Sequence, residues 1–170
     1  NYLELGYIRM NRNCYGKEEV EAFRRQIKEY FVPFAESLHE RRRKRLGLDR
    51  LSFIDEQVYF PEGNPAPIGS PQEIMESGRK MYEELSPQTK EFFNFMMENQ
   101  LFDVLGRKTK RAGGYMTYLP LYNSPFIFAN FNGTSGDVDV ITHECGHAFQ
   151  GYLSGKDPIR EHAEIGMETA

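Results

Sequence analysis

Val138, Ile141, Cys145, Ala148 and Tyr152 recur at steps of three and four, a period that brings apolar side chains onto one face only in an α-helix. Between them stand His143, Glu144 and His147. The stretch must therefore be a helix that packs one side and offers two imidazoles, one turn apart, from the other. Thr134-Ser135-Gly136-Asp137 reads as a capping box that opens it. The rest of the chain has to supply a surface for the apolar face and leave the polar face open to a cleft.

Other helices carry the same period. From Lys17 to Leu46, apolar residues fall at Val20, Phe23, Ile27, Tyr30, Phe31, Phe34 and Leu38, predicting a long amphipathic helix that Pro33 kinks or divides. Gly47 is placed to end it. Ser70-Pro71-Gln72-Glu73 is a capping box whose helix should turn Ile74, Met81 and Leu85 inward. Ser86-Pro87 restarts the pattern, with Phe92, Phe95, Met96, Leu101, Phe102 and Leu105 as its buried side up to Gly106. The prolines and glycines of 48–69 mark an irregular connection with at most one short strand, and the basic, glycine-rich Lys108 to Gly114 reads as a mobile loop. Strand signals are confined to Tyr115–Leu119 and Phe126–Phe131, aromatic or β-branched runs between Pro, Asn and Gly. The expected fold is mainly α with a small β-sheet, in one region 1–170: helical over 1–112, then the small sheet and the histidine-bearing helix over 113–170.

Composition narrows the function classes. In 170 residues, 21 Lys+Arg face 25 Asp+Glu, which excludes a uniformly basic nucleic-acid binder, and no apolar run is long enough for a membrane span. Cys14 and Cys145 are the only cysteines, too few for a disulfide scaffold. With no basic-then-apolar leader after Asn1, the expected setting is cytoplasmic.

His143-Glu144-Cys145-Gly146-His147 is an H-E-x-x-H pattern. Imidazoles four residues apart can reach one ion, and zinc accepts neutral ring nitrogen at about 2.0–2.1 Å while keeping a coordination position for water when three protein ligands bind. Glu144, next along the helix, is placed to take a proton from that water. The competing reading is two structural histidines on a surface helix. The capped helix, its apolar back and the aromatic strand before it favour the metal: one zinc ion on His143 and His147, with Glu144 as general base and acid.

Together with the preceding Phe126-Ile127-Phe128-Ala129-Asn130-Phe131-Asn132-Gly133-Thr134-Ser135-Gly136-Asp137-Val138, the segment His143 to Gln150 resembles the zinc oligopeptidases of the oligoendopeptidase F and thimet oligopeptidase group. Gly6-Tyr7-Ile8-Arg9-Met10 and Gly113-Gly114-Tyr115 resemble the oligoendopeptidase F branch. The resemblance implies a zincin-like metallopeptidase catalytic region, part of a larger and mostly helical domain whose channel admits short peptides. It also implies hydrolysis through a metal-activated water, with His143 and His147 as metal ligands and Glu144 as the proton carrier. That family draws its third ligand from a glutamate about two dozen residues past the second histidine, within a segment resembling Glu-Ile-His-Ser-Met. Here 23 residues follow His147, and that segment is absent. The expectation is a fragment that ends just before the third ligand, with Glu168 the in-chain candidate ahead of Glu161 and Glu164. Short peptides are the expected partners, with neither nucleic acid nor membrane. The alternative is a catalytically inactive truncated helical fragment, or binding module, with an incomplete two-histidine site.

Three further features have plain readings. Arg41-Arg42-Arg43-Lys44-Arg45 reads as a solvated helix end suited to the negative end of the helix dipole; the alternative is an anionic-partner patch. Cys145 reads as a buried small side chain that points away from the imidazoles, and His39 and His162 as surface residues. Phe126–Phe131 is either a core strand or an edge on which an extended peptide could pair.

Overall fold

The computed structural model describes residues 2–10, 12 and 14–159, which fall into two compact units divided after Asn64. The first unit holds α1 (Tyr2–Arg9), α2 (Lys17–Gln26) and α3 (Val32–Arg45). A π-helical turn over Ile27–Phe31 joins α2 to α3, and Pro33, which has no N–H to donate back to that turn, is the second residue of α3. The long helix is thus continuous through a π-turn. Leu46 and Gly47, at φ +66°, close it. Over 48–64 the only regular piece is a 3-10 turn, Phe53–Asp55.

Three of the five clustered cations hold that connection onto α3. Arg42 donates to the Glu56 carbonyl at 2.9 Å, Arg43 to that of Leu48 and Arg45 to that of Tyr59. Arg42 and Arg45 also lie over the Tyr59 and Phe60 rings. The run is structural as much as solvated, a difference from the sequence expectation.

The second unit contains α4 (Pro71–Leu85), α5 (Pro87–Glu98), β1 (Phe102–Leu105), β2 (Tyr115–Leu119), β3 (Ser124–Phe131) and α6 (Gly136–Ser154). Ser70 and Ser86 cap α4 and α5 through their side chains, as expected. The three strands are ordered β1-β3-β2, with β3 parallel to β1 and antiparallel to β2. Phe92, Phe93, Met96, Ile127, Ala129, Cys145 and Ala148 are fully buried where α5, β3 and α6 meet. Tyr82 stacks on Phe93, and Phe92 packs against Phe149 and Tyr152. The architecture is mainly helical with a small sheet.

Several expectations need correction. The helix opened at Ser86 stops at Glu98, because Gln100 turns left-handed (φ +55°) and the chain leaves as β1; the span 1–112 is therefore not wholly helical, and Leu105 is exposed. On α4 the inward side is Ile74, Met75 and Tyr82, with Met81 and Leu85 exposed. Val138 on α6 is 43% exposed. The 107–114 segment is tied down by side chains of and into the sheet. Phe126–Phe131 belongs to the central strand, paired on both sides, so it offers no free edge.

Candidate metal centre

The loop before α6 fixes where the helix begins. Gly133 has φ +82°, a conformation glycine adopts without a Cβ penalty. The buried carboxylate of Asp137 accepts from the backbone N–H of Asn132 at 3.0 Å and of Gly133 at 2.8 Å. Asn132 in turn accepts from the Thr134 N–H and hydroxyl. Ser135 is the N-cap residue but makes no side-chain cap bond, so the expected capping box is replaced by an aspartate that reaches back to the loop.

From that start, Ile141, Cys145 and Ala148 seat the back of α6 in the core. Burial pushes the Cys145 thiol up to about 12, which keeps it protonated at neutral pH and unsuited to ligate. The Tyr82 hydroxyl, itself raised by burial, donates to the Thr142 carbonyl at 3.3 Å. These contacts fix the rotation of α6 about its axis, and that rotation decides where its polar face looks.

His143 is exposed, and Glu144 and His147 are half-buried. The two imidazoles stand edge to face with centroids 4.6 Å apart, and their Nε2 atoms are separated by 3.1 Å. Two ring nitrogens bound to one tetrahedral zinc, each about 2.0–2.1 Å from it, stand about 3.3–3.4 Å apart. The observed pair is within a few tenths of an ångström of that spacing, and imidazole nitrogen is a donor type that zinc accepts. His143 and His147 therefore fit as two ligands of such an ion. The same separation also suits an N–H···N bond between the rings.

Among the described residues, no group of three or more His, Cys, Asp or Glu side chains is arranged to hold a metal. Glu161, His162, Glu164 and Glu168 lie outside the described residues. His39 belongs to the first unit and is exposed on α3.

Alongside α6 lies β2, which the sequence does not mark as a neighbour of the histidines. A methyl at Gly151 of α6 would meet the Tyr118 ring at 3.4 Å, and one at Gly114 would meet Val140 at 3.6 Å and the Phe128 carbonyl at 3.4 Å. Val140 is one turn before His143 and Glu144 on the same side of the helix. Thus β2 runs along α6 beside the histidine face with its outer edge unpaired among the described residues. The Gly113-Gly114 pair before a strand was the available signal, since glycines there mark close backbone approach.

No helix among the described residues is long and apolar enough to cross a membrane. The sequence profile of Peptidase family M3 matches residues 76–168, and no curated protein matches the sequence. Among solved structures, a Bacillus anthracis protein assigned as an oligoendopeptidase F is 49% identical, with a TM-score of 0.93 over 99% of this chain and 31% of its own. A complex of PZ peptidase A with an inhibitor is 50% identical, with a TM-score of 0.92 over 99% of this chain and 30% of its own. A further protein assigned as an oligoendopeptidase F is 51% identical, with a TM-score of 0.88 over 95% of this chain and 28% of its own. The chain spans less than a third of each of these proteins.

Proposed function

This chain belongs to Peptidase family M3, and on that premise we propose that it is part of the catalytic domain of a longer zinc-dependent endopeptidase that hydrolyses short peptides. The observation that carries the reading is the pair of imidazoles on one face of α6, 3.1 Å apart at Nε2, with Glu144 adjacent and a sheet edge alongside. His143 and His147 hold the ion, and the third ligand comes from outside the described residues, from Glu168 or from beyond Ala170. Bound zinc polarises a carbonyl and acidifies water.

The chain's own residues do the rest. The Glu144 carboxylate accepts a proton from water as the water oxygen bonds to the scissile carbonyl carbon. It then returns that proton to the amide nitrogen as the C–N bond breaks. The outer edge of β2 supplies main-chain donors and acceptors on which an extended substrate can align. This takes over the role that Phe126–Phe131, as a central strand, is unable to fill. The free thiols of Cys14 and Cys145 support a cytoplasmic setting, and the engagement of Arg42, Arg43 and Arg45 within their own unit supports a chain without a nucleic-acid partner.

Glu144→Gln in the full-length enzyme tests the role assignment. Peptide turnover should fall by at least about a thousandfold with zinc content unchanged; wild-type turnover would refute it. A second reading applies to the 170 residues on their own: a helical module with an incomplete two-histidine site, favoured by the lack of a third ligand among the described residues. Metal-dependent peptidase activity from the 170-residue chain would exclude that reading.

A further inference from the structure

Lys110 is a buried cation that the proposed chemistry does not use. Its side chain is 1% exposed, in a segment whose composition suggests mobility. The ammonium donates to the Asp103 carbonyl at 2.7 Å, the Asp103 carboxylate at 2.9 Å, the Leu105 carbonyl at 3.0 Å and the Ala129 carbonyl. It also lies 4.4 Å from the centre of the Phe128 ring. These partners belong to β1 and β3, so one side chain spans the ends of both strands. Burying an ammonium is costly unless it is paired and hydrogen-bonded throughout. Here every proton finds an acceptor, which makes the arrangement a defined anchor.

What it anchors is the lead-in to β2. Asn130 donates to the carbonyls of Arg111 and Gly113, both at 2.9 Å. Tyr115, the first residue of β2, stacks on the same Phe128 ring with centroids 5.0 Å apart. Gly114, between them, lies against Val140, one turn ahead of His143. We propose that Lys110 is a positioning residue: its ammonium latches the 107–114 segment across β1 and β3 and thereby holds the edge from Gly114 to Thr117 in place beside the histidine face. The effect on substrate rests on the proposed peptidase function; the latch itself does not.

The experiment compares wild type, Lys110→Met and Asn130→Ala in the full-length protein, by amide hydrogen exchange over 113–119, zinc content and steady-state cleavage of a short peptide. Lys110→Met keeps the aliphatic stem and removes the charge. It should speed exchange over 113–119 by about tenfold or more while α5 keeps its protection. It should leave zinc content unchanged and raise KM by about tenfold with kcat within about threefold of wild type. Asn130→Ala, which removes two bonds from a more exposed position, should shift the same quantities in the same direction by less, and it carries the test if Lys110→Met does not fold. Unchanged exchange over 113–119 in a folded variant would overturn the latch. Faster exchange with KM unchanged would overturn its role in substrate alignment. If wild type cleaves no peptide, the proposed function fails, and exchange alone decides whether the latch exists.

Discussion

The two units carry similar sequence patterns and put them to opposite use. In the first, Phe23, Tyr30, Phe31 and Phe34 stand at helical spacing but remain 60–63% exposed, and its described residues bury Arg42 but no apolar side chain. In the second, Phe92, Phe93 and Met96 stand at the same spacing and are fully buried. Apolar period fixes that a segment is helical and which side it would pack; it says nothing of what lies against that side. The second unit supplies a sheet and a further helix as cover, and that cover also sets the rotation of α6 and hence the outlook of His143 and His147.

Substitution sets the two stripes against each other. Phe92→Ala should destabilise the chain by about 3–5 kcal/mol, whereas Phe34→Ala should stay within about 0.5 kcal/mol, both read by denaturant unfolding. Equal penalties would mean that the exposed stripe is covered after all. Next in size is Asp137→Ala, which strips the acceptor from two backbone N–H groups before α6. A loss of about 1.5–3 kcal/mol is expected, in the same unfolding measurement.

Much of this was legible in the sequence. The helix of His143 and His147 announced itself by period, and Ser70 and Ser86 by cap chemistry. β1 did not, because Leu101, Phe102 and Leu105 continue the helical spacing of α5 and the residue that breaks it, Gln100, has no special tendency to turn left-handed. Asp137 reads as a cap in the sequence because a carboxylate in the first turn looks the same whether it bonds forward to the helix or back to a loop. The latch at Lys110 was hidden for a related reason: a lysine among glycines and cations signals exposure, and only the folded sheet brings carbonyl oxygens from two strands around it.

The smallest effect should be one on which the units agree. Hydrogen bonds from Arg107 foremost, then Lys110, hold the Asp103 carboxyl down at about 2, and Arg43 does the same for Glu40. Since the folded values are depressed, each pair stabilises the chain above the ordinary carboxylate range near pH 4 and loses that contribution as pH falls toward 2. Arg107→Ala should raise the Asp103 midpoint, followed by carboxyl NMR, and Arg43→Ala should do likewise for Glu40. For these exposed and partly exposed pairs solvent screening should leave little change in stability at neutral pH. A midpoint that does not move would show that the ion pair is not what holds it down.

The most direct test of the account is bound zinc per chain in the full-length protein, measured by elemental analysis after dialysis at neutral pH. Wild type and Glu144→Gln should each retain close to one zinc, while His143→Ala and His147→Ala should retain little. Full zinc in either histidine variant would place the metal elsewhere and contradict the reading of α6 as the metal-binding helix.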